Sequence, residues 1–137
     1  MKRIVTGILL SATLLLAASS KLDDKTGLIW QDNRQMQQEF SFEEAKKHCE
    51  TLTVDGYTDW RLPTLKELAT ILDLKTDRPA LKNGFNMRIS ERFWTATPNA
   101  ANPKEAWVIS FSYGEIESYP LRRDYNVRCV RNAKNKK

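Results

Sequence analysis

Hydrophobic and polar positions fall into distinct patterns along the chain. From Ile4 to Ala18 the residues are almost all apolar, with Lys2 and Arg3 before them and the small residues Ala17, Ala18, Ser19 and Ser20 at the end. A basic start, a short apolar run and a small-residue finish predict a cleavable secretory leader over residues 1–20. The run is short for a membrane-spanning helix. After it the pattern shortens. Leu28-Ile29-Trp30-Gln31 reads as a brief strand following a turn at Asp23–Gly27, and the polar segment 32–39 reads as a loop.

Helical spacing first appears at Ser41. Ser41 and Glu44 have the S-x-x-E spacing of a capping box, and Phe42, Ala45, Cys49 and Leu52 recur at intervals of three and four. That face is predicted to be buried, with Lys46, Lys47 and Glu50 toward water. Trp60-Arg61-Leu62-Pro63 is expected to be extended, because a proline disfavours helix in the residue before it. A second capping box, Thr64 to Glu67, opens a helix whose buried stripe is Leu65, Leu68, Ala69 and Leu72. Residues 73–92 have weak periodicity and predict an irregular excursion with one helical turn around Ala80-Leu81.

The remainder reads as β. Phe93–Ala96 predicts a short strand, and Thr97–Glu105, with its prolines and asparagines, a loop. Ala106–Tyr113 alternates, with Trp107, Ile109, Phe111 and Tyr113 on one side and Ala106, Val108, Ser110 and Ser112 on the other. Gly114-Glu115 suits a tight hairpin, with Ile116–Tyr119 as the return strand. The last strand is Tyr125–Arg131, where Val127 and Cys129 share one face and Arg128 and Val130 the other. The fold class is therefore α+β: two helices packed on a twisted antiparallel sheet, in one domain over residues 21–131, followed by a basic disordered tail at 132–137.

Cysteine usage adds a constraint. Export permits disulfides, and the chain has two cysteines, so the intramolecular pairing Cys49–Cys129 is unambiguous. Helical spacing puts Cys49 on a buried face and strand alternation puts Cys129 beside Val127. The bond ties the first helix to the last strand and leaves no thiol for oxidative chemistry.

Charge changes the picture at one end. The whole chain is formally +5; removal of residues 1–20 takes Lys2 and Arg3 and no acid, leaving 20 basic against 17 acidic residues. That excess is too mild for a nucleic-acid-binding surface. It is concentrated from Ser118 onward, where Arg122, Arg123, Arg128, Arg131, Lys134, Lys136 and Lys137 face the single acid Asp124. Arginine favours bidentate contact with sulfate, phosphate and carboxylate. Arg122, Arg123, Arg128 and Arg131 are thus the candidate anion contacts, against the alternative of a solvated surface paired to Glu115, Glu117 and Asp124.

Catalytic and metal constellations are poorly supplied. His48 is the only histidine, and periodicity puts it toward solvent. One histidine and two paired cysteines do not make a zinc site, and no stretch has the oxygen spacing of a calcium loop. No catalytic residue, metal or cofactor is predicted. The four tryptophans, Trp30, Trp60, Trp94 and Trp107, could form a sugar-stacking platform, but their placement in apolar patterns favours core packing, with Trp60 the least determined.

Four blocks carry a resemblance: Thr26–Gln31 (TGLIWQ), Asp59–Leu68 (DWRLPTLKEL), Phe93–Thr97 (FWTAT) and Val127–Arg131 (VRCVR). Together they resemble the C-terminal domain family of the Legionella collagen-like protein, over about residues 22–131. The resemblance implies a compact C-type-lectin-like fold, related to that of formylglycine-generating enzymes, and an exported envelope setting, periplasmic or at the surface. It also implies adhesion, with sulfated glycosaminoglycans as the partners in the Legionella protein. This chain lacks a Gly-X-Y stalk, so the trimer that a stalk imposes is not implied, and no catalytic residue carries over.

Three readings follow. The first is a non-enzymatic exported binding or adhesion module recognising an anionic glycan or an envelope protein. The second is a structural or accessory subunit of an envelope complex. The third is an enzyme with a degenerate formylglycine-type cleft, which would need Cys49 as a free thiol.

Overall fold

The computed structural model describes residues 19–86 and 91–133. Most of the expected leader and residues 134–137 of the expected tail lie outside them. Within the described part, Ser20 belongs to the first strand and Asn132 to the last. Ala133 N–H donates to Gly27 O at 3.0 Å. Ordered pairing therefore begins one residue before the expected domain start and continues into the expected tail.

Strand β1 (Ser20–Asp23) was not apparent from the sequence. It pairs antiparallel with β2 (Leu28–Gln31) through a turn held by Asp23, whose carboxylate accepts from Lys25 N and Thr26 Oγ1. Gly27 closes that turn at φ 71°, a value that favours glycine. The segment read as loop contains a 3-10 turn, Arg34–Gln37, and a two-residue strand β3 (Glu39–Phe40).

Helix α1 (Phe42–Thr51) begins where its capping box predicts, with Glu44 Oε2 accepting from Ser41 N at 3.0 Å. Phe42, Ala45 and Cys49 are buried, and Leu52 follows as the buried C-cap. Helix α2 (Leu65–Ala69) is capped reciprocally: Thr64 Oγ1 accepts from Glu67 N, and Glu67 Oε1 accepts from Thr64 N. Of its predicted stripe only Leu68 is fully buried. Ile71, just past the helix, supplies the second anchor. No helix among the described residues is long and apolar enough to cross a membrane.

The predicted helical turn at Ala80-Leu81 is absent. Leu81 instead bridges Leu72, Ala80 N donates to Phe111 O at 2.7 Å, and Lys82 N donates to Ile71 O at 3.0 Å. These long-range bonds take the backbone donors that a helical turn would need.

The predicted loop over Thr97–Glu105 is also replaced. β4 (Arg92–Asn99) and β5 (Asn102–Ser110) form a long hairpin turning at Ala100-Ala101, with Asn99 opposite Asn102. Asn99 Oδ1 accepts from Ala101 N and Asn102 Oδ1 from Lys104 N. These asparagines turn the chain through their side chains, and Pro98 sits at a register shift, where a missing N–H is tolerated. β6 (Glu115–Pro120) returns antiparallel to β5, and Gly114 lies between them at φ 82° under the Leu74 side chain.

The end of the chain is not one strand. β7 (Tyr125–Asn126) joins a five-stranded sheet in the order β3-β7-β4-β5-β6, whereas β8 (Val130–Asn132) joins a three-stranded sheet in the order β1-β2-β8. All pairs are antiparallel except β4–β7. Residues 127–129 cross from one sheet to the other.

The two faces of the larger sheet pack into separate cores. Trp94, Ala106 and Val108 join Phe42, Cys49, Trp60, Val127 and Cys129. Phe93, Ile109 and Phe111 join Trp30, Leu68, Ile71 and Val130. The disulfide lies in the first core, with Cα atoms 5.5 Å apart and a sequence separation of 80. Both faces being covered explains why β5 buries residues of both parities. Tyr113 lies beyond the strand, in the turn, and is 53% exposed.

Candidate anion-binding edge and adjoining sheet face

The four candidate arginines have two different fates. Arg122 and Arg123 are exposed in the turn between β6 and β7. The turn itself is fixed: Leu121 N donates to Lys104 O at 3.1 Å, Leu121 O accepts from Phe42 N at 3.0 Å, and Arg123 N donates to Pro120 O at 3.0 Å. Among the described residues neither guanidinium has a hydrogen bond or an ion pair. Glu117, one of the anticipated pairing partners, accepts from the Tyr119 hydroxyl instead.

Beside Arg122 lies an open depression of about 500 Å³, walled by Asn102–Glu105 at the start of β5 and by Pro120–Arg122. It brings Lys104 against Arg122. Its acid, Glu105, accepts from Ser118 Oγ at 2.7 Å, and Ser118 Oγ accepts from Asn99 Nδ2 at 2.9 Å.

Arg128 and Arg131 are not surface groups, which corrects their assignment as external contacts. Arg128 is fully buried; its Nη1 donates to Gln31 O and to Asp32 Oδ1, each at 3.0 Å, and its Nη2 donates to Asn86 O. Asp32 is satisfied in turn by Asn86 N and Asn86 Nδ2, both at 2.8 Å. Burial pulls the Arg128 guanidinium below its ordinary pKa, and Asp32 opposes that. The cluster secures residues 85–86 against β2, a structural task. Arg131 donates from Nε and Nη2 to the Asp59 carboxylate at 2.6 and 3.2 Å, and its guanidinium carbon lies 3.7 Å from the Tyr57 ring centre. Strand alternation failed for Arg128 because residues 127–129 cross between the sheets instead of forming a strand, and the side chain lands on Gln31, Asp32 and Asn86 rather than in water.

His48 is half-buried rather than solvent-facing. Its ring stacks on Phe40 at 4.5 Å, and burial lowers its pKa, which keeps it neutral at neutral pH. Three tryptophans are core residues: Trp30 and Trp94 are fully buried and Trp60 is 3% exposed, with Trp60 Nε1 donating to Tyr57 O and Trp94 Nε1 to Phe40 O. Trp107 is different. It is half-buried, is not among the side chains packed against either core, and its indole N–H has no partner among the described residues.

Sequence reasoning therefore found Arg122 and Arg123 and missed Lys104, Trp107 and the row Asn99–Ser118–Glu105. The pairing of Glu105 with Pro120 is what carries Lys104 to the arginine turn. A loop reading of 97–105 concealed it.

No curated protein matches the chain. The family model of the Lcl C-terminal domain matches residues 21–131, which takes in both helices, the whole five-stranded sheet and all but Ser20 and Asn132 of the three-stranded sheet. The chain belongs to the Lcl C-terminal domain family.

Proposed function

We propose that this domain is a non-enzymatic binding module of the bacterial envelope that docks on an anionic glycan through Arg122, Arg123 and Lys104. Family membership and the disulfide point to an extracytoplasmic setting, since such bonds persist in oxidising compartments. A periplasmic or surface location belongs to the proposal.

The observation that carries the reading is a rigid turn presenting two unpaired guanidiniums beside a depression that holds a third cation. Unpaired arginines on a fixed backbone lose little on meeting a sulfate or carboxylate. The binding role is also consistent with both cysteines being consumed in the disulfide and with the sole histidine being stacked on a phenylalanine.

Retention on immobilised heparin tests it. The protein is expected to elute at progressively lower yield as salt is lowered, and Arg122→Ala/Arg123→Ala to elute at markedly lower salt than wild type. Unchanged elution of the double variant would remove this edge as the docking surface.

A second reading, an accessory subunit of an envelope complex, has its own observation. Leu74, Tyr113 and Ile116 are 74%, 53% and 44% exposed around the Gly114 turn, an apolar patch away from the cations in sequence. It predicts co-purification with one envelope protein, lost in Leu74→Ser/Ile116→Ser, and indifference to heparin.

A further inference from the structure

β6 is the outer strand of the five-stranded sheet, and among the described residues no strand pairs with its far edge. Leu121 N donates to Lys104 O, one step beyond the Glu105–Pro120 pair. In an antiparallel pair, residues that bond across the ladder alternate with residues that do not. Along the unbroken register, Tyr119, Glu117 and Glu115 therefore turn their backbone groups to β5, and Ser118 and Ile116 turn theirs outward. Pro120 falls in the outward set, where its missing N–H costs no bond to β5. Glu115, Ile116 and Glu117 are exposed, Ile116 to 44%.

This edge is polarised. It starts with Glu115 and Glu117 and ends in the turn of Arg122 and Arg123. An antiparallel copy of the same strand runs the other way and brings arginines to acids. In a two-fold pairing, outward residues must meet outward residues, which allows registers centred on Ile116, Glu117 or Ser118. Centring on Ile116 sets Glu115 opposite Glu117 of the second copy. Centring on Glu117 sets that glutamate opposite itself. Like charges directly opposed are destabilising, so both registers are disfavoured. Centring on Ser118 sets Glu117 opposite Tyr119 and Ile116 opposite Pro120. It also sets Glu115 opposite Leu121, the residue before Arg122 and Arg123. In this register the acids avoid each other and the exposed isoleucine is covered by the proline.

We infer that the free edge of β6 pairs with β6 of a second copy of this chain, antiparallel and two-fold symmetric about Ser118, so that the sheet continues across a homodimer. Ser118 exchanges both backbone bonds with its copy, and the ladder is short because Pro120 has no N–H to add. A ladder of this length buries less than a standard interface, so the dimer forms at high protein concentration. The inference goes beyond the glycan reading and does not depend on it.

Cysteine scanning along β6 tests the register. Opposed residues that exchange both bonds have Cα atoms about 5.5 Å apart, within reach of a disulfide. The native cysteines are buried and already joined. Under mild oxidation, Ser118→Cys is expected to give a covalent dimer on a non-reducing gel. Ile116→Cys and Glu117→Cys, which face Pro120 and Tyr119 of the second copy, are expected to stay largely monomeric. Sedimentation velocity without any polyanion should show wild type shifting from monomer to dimer as concentration rises to about 0.5 mM. Glu115→Arg, at an exposed position, should weaken that association about fivefold by facing the arginine turn with like charge. A wild type that stays monomeric at the highest concentration overturns the pairing. So does cross-linking at Ile116 or Glu117 as fast as at Ser118, or a Glu115→Arg variant that associates like wild type. Each of these results leaves retention on heparin as a separate question.

Discussion

Arg122-Arg123 and Arg128 with Arg131 lie within ten residues of one another, yet they belong to different physical worlds. The first pair stands in water on a turn fixed by backbone bonds to Lys104 and Phe42. Of the second pair, Arg128 sits where the chain crosses between sheets and Arg131 on β8, and they are 0% and 1% exposed. Cationic charge in the first pair is available to a ligand. In the second it is already neutralised, by Asp32 and Asp59. A run of positive charge in a sequence is therefore not one feature, and only the half that lacks an internal acid can serve recognition.

The strongest way to break this contrast is to release the crossing segment. Cys129 is flanked by Arg128 and Val130, and the disulfide closes a loop spanning 80 residues. Cys49→Ala/Cys129→Ala is expected to lose about 4.5 kcal/mol of stability on the chain-entropy account. Urea denaturation of the variant beside wild type checks this; a loss below about 1 kcal/mol would mean that the crossing segment is held by packing alone.

Arg128→Met comes next. It leaves Asp32 buried with Asn86 as its remaining partner and should cost about 4 kcal/mol. Adding Asp32→Asn to that variant should restore part of the loss, because the uncompensated carboxylate is then gone. Recovery in the double variant, measured by the same denaturation, distinguishes a buried charge pair from simple loss of side-chain volume.

Arg131→Ala should cost less, about 1–2 kcal/mol, from the stack on Tyr57 and the bidentate pair. Its partner Asp59 has a side chain 54% exposed, so water can take over once the guanidinium leaves. A thermal-melt shift intermediate between those of Arg128→Met and Arg122→Ala would place Arg131 as the graded case between the two fates.

Arg61 supplies a smaller test of the same idea through pH. It donates from Nη1 and Nη2 to Glu67 at 2.6 and 2.7 Å, and those bonds hold the Glu67 carboxyl below its ordinary pKa against partial desolvation. A depressed carboxyl stabilises the fold fully above the unfolded-state value, near 4.3, and loses that contribution as pH falls through the folded value. Stability of wild type should therefore decline as pH drops below about 4. The slope should be shallower in Glu67→Gln. An identical slope would mean that the pair is too solvated to matter.

How much of this the chain declares depends on the range of the interaction. The helices were legible because their signals are local: Ser41 with Glu44, Thr64 with Glu67, and the spacing of Phe42, Ala45 and Cys49. The Cys49–Cys129 bond was legible by count. What escaped is set by distant partners. Ala80 and Leu81 are extended because Phe111 and Leu72 bind them, and Thr97–Glu105 is a hairpin because Asn99 and Asn102 turn it. Arg128 looked exposed because alternation reports two faces and says nothing of whether both are covered. The cationic turn was half legible: Arg122 and Arg123 could be named from charge, whereas Lys104 reaches it only through the β5–β6 register.

The smallest stability effect is also the most discriminating. Arg122→Ala/Arg123→Ala removes two charges that have no protein partner among the described residues, and the turn that carries them is held by backbone groups which the change leaves in place. Its unfolding free energy should stay within about 0.5 kcal/mol of wild type. Relief of repulsion from Lys104 could even raise it slightly at low salt. Retention on heparin should nevertheless drop. A group that can be deleted without loss of stability, yet with loss of binding, is held at the surface for a partner outside the fold. Equal losses of both would instead place Arg122 and Arg123 with Arg128, as part of the scaffold.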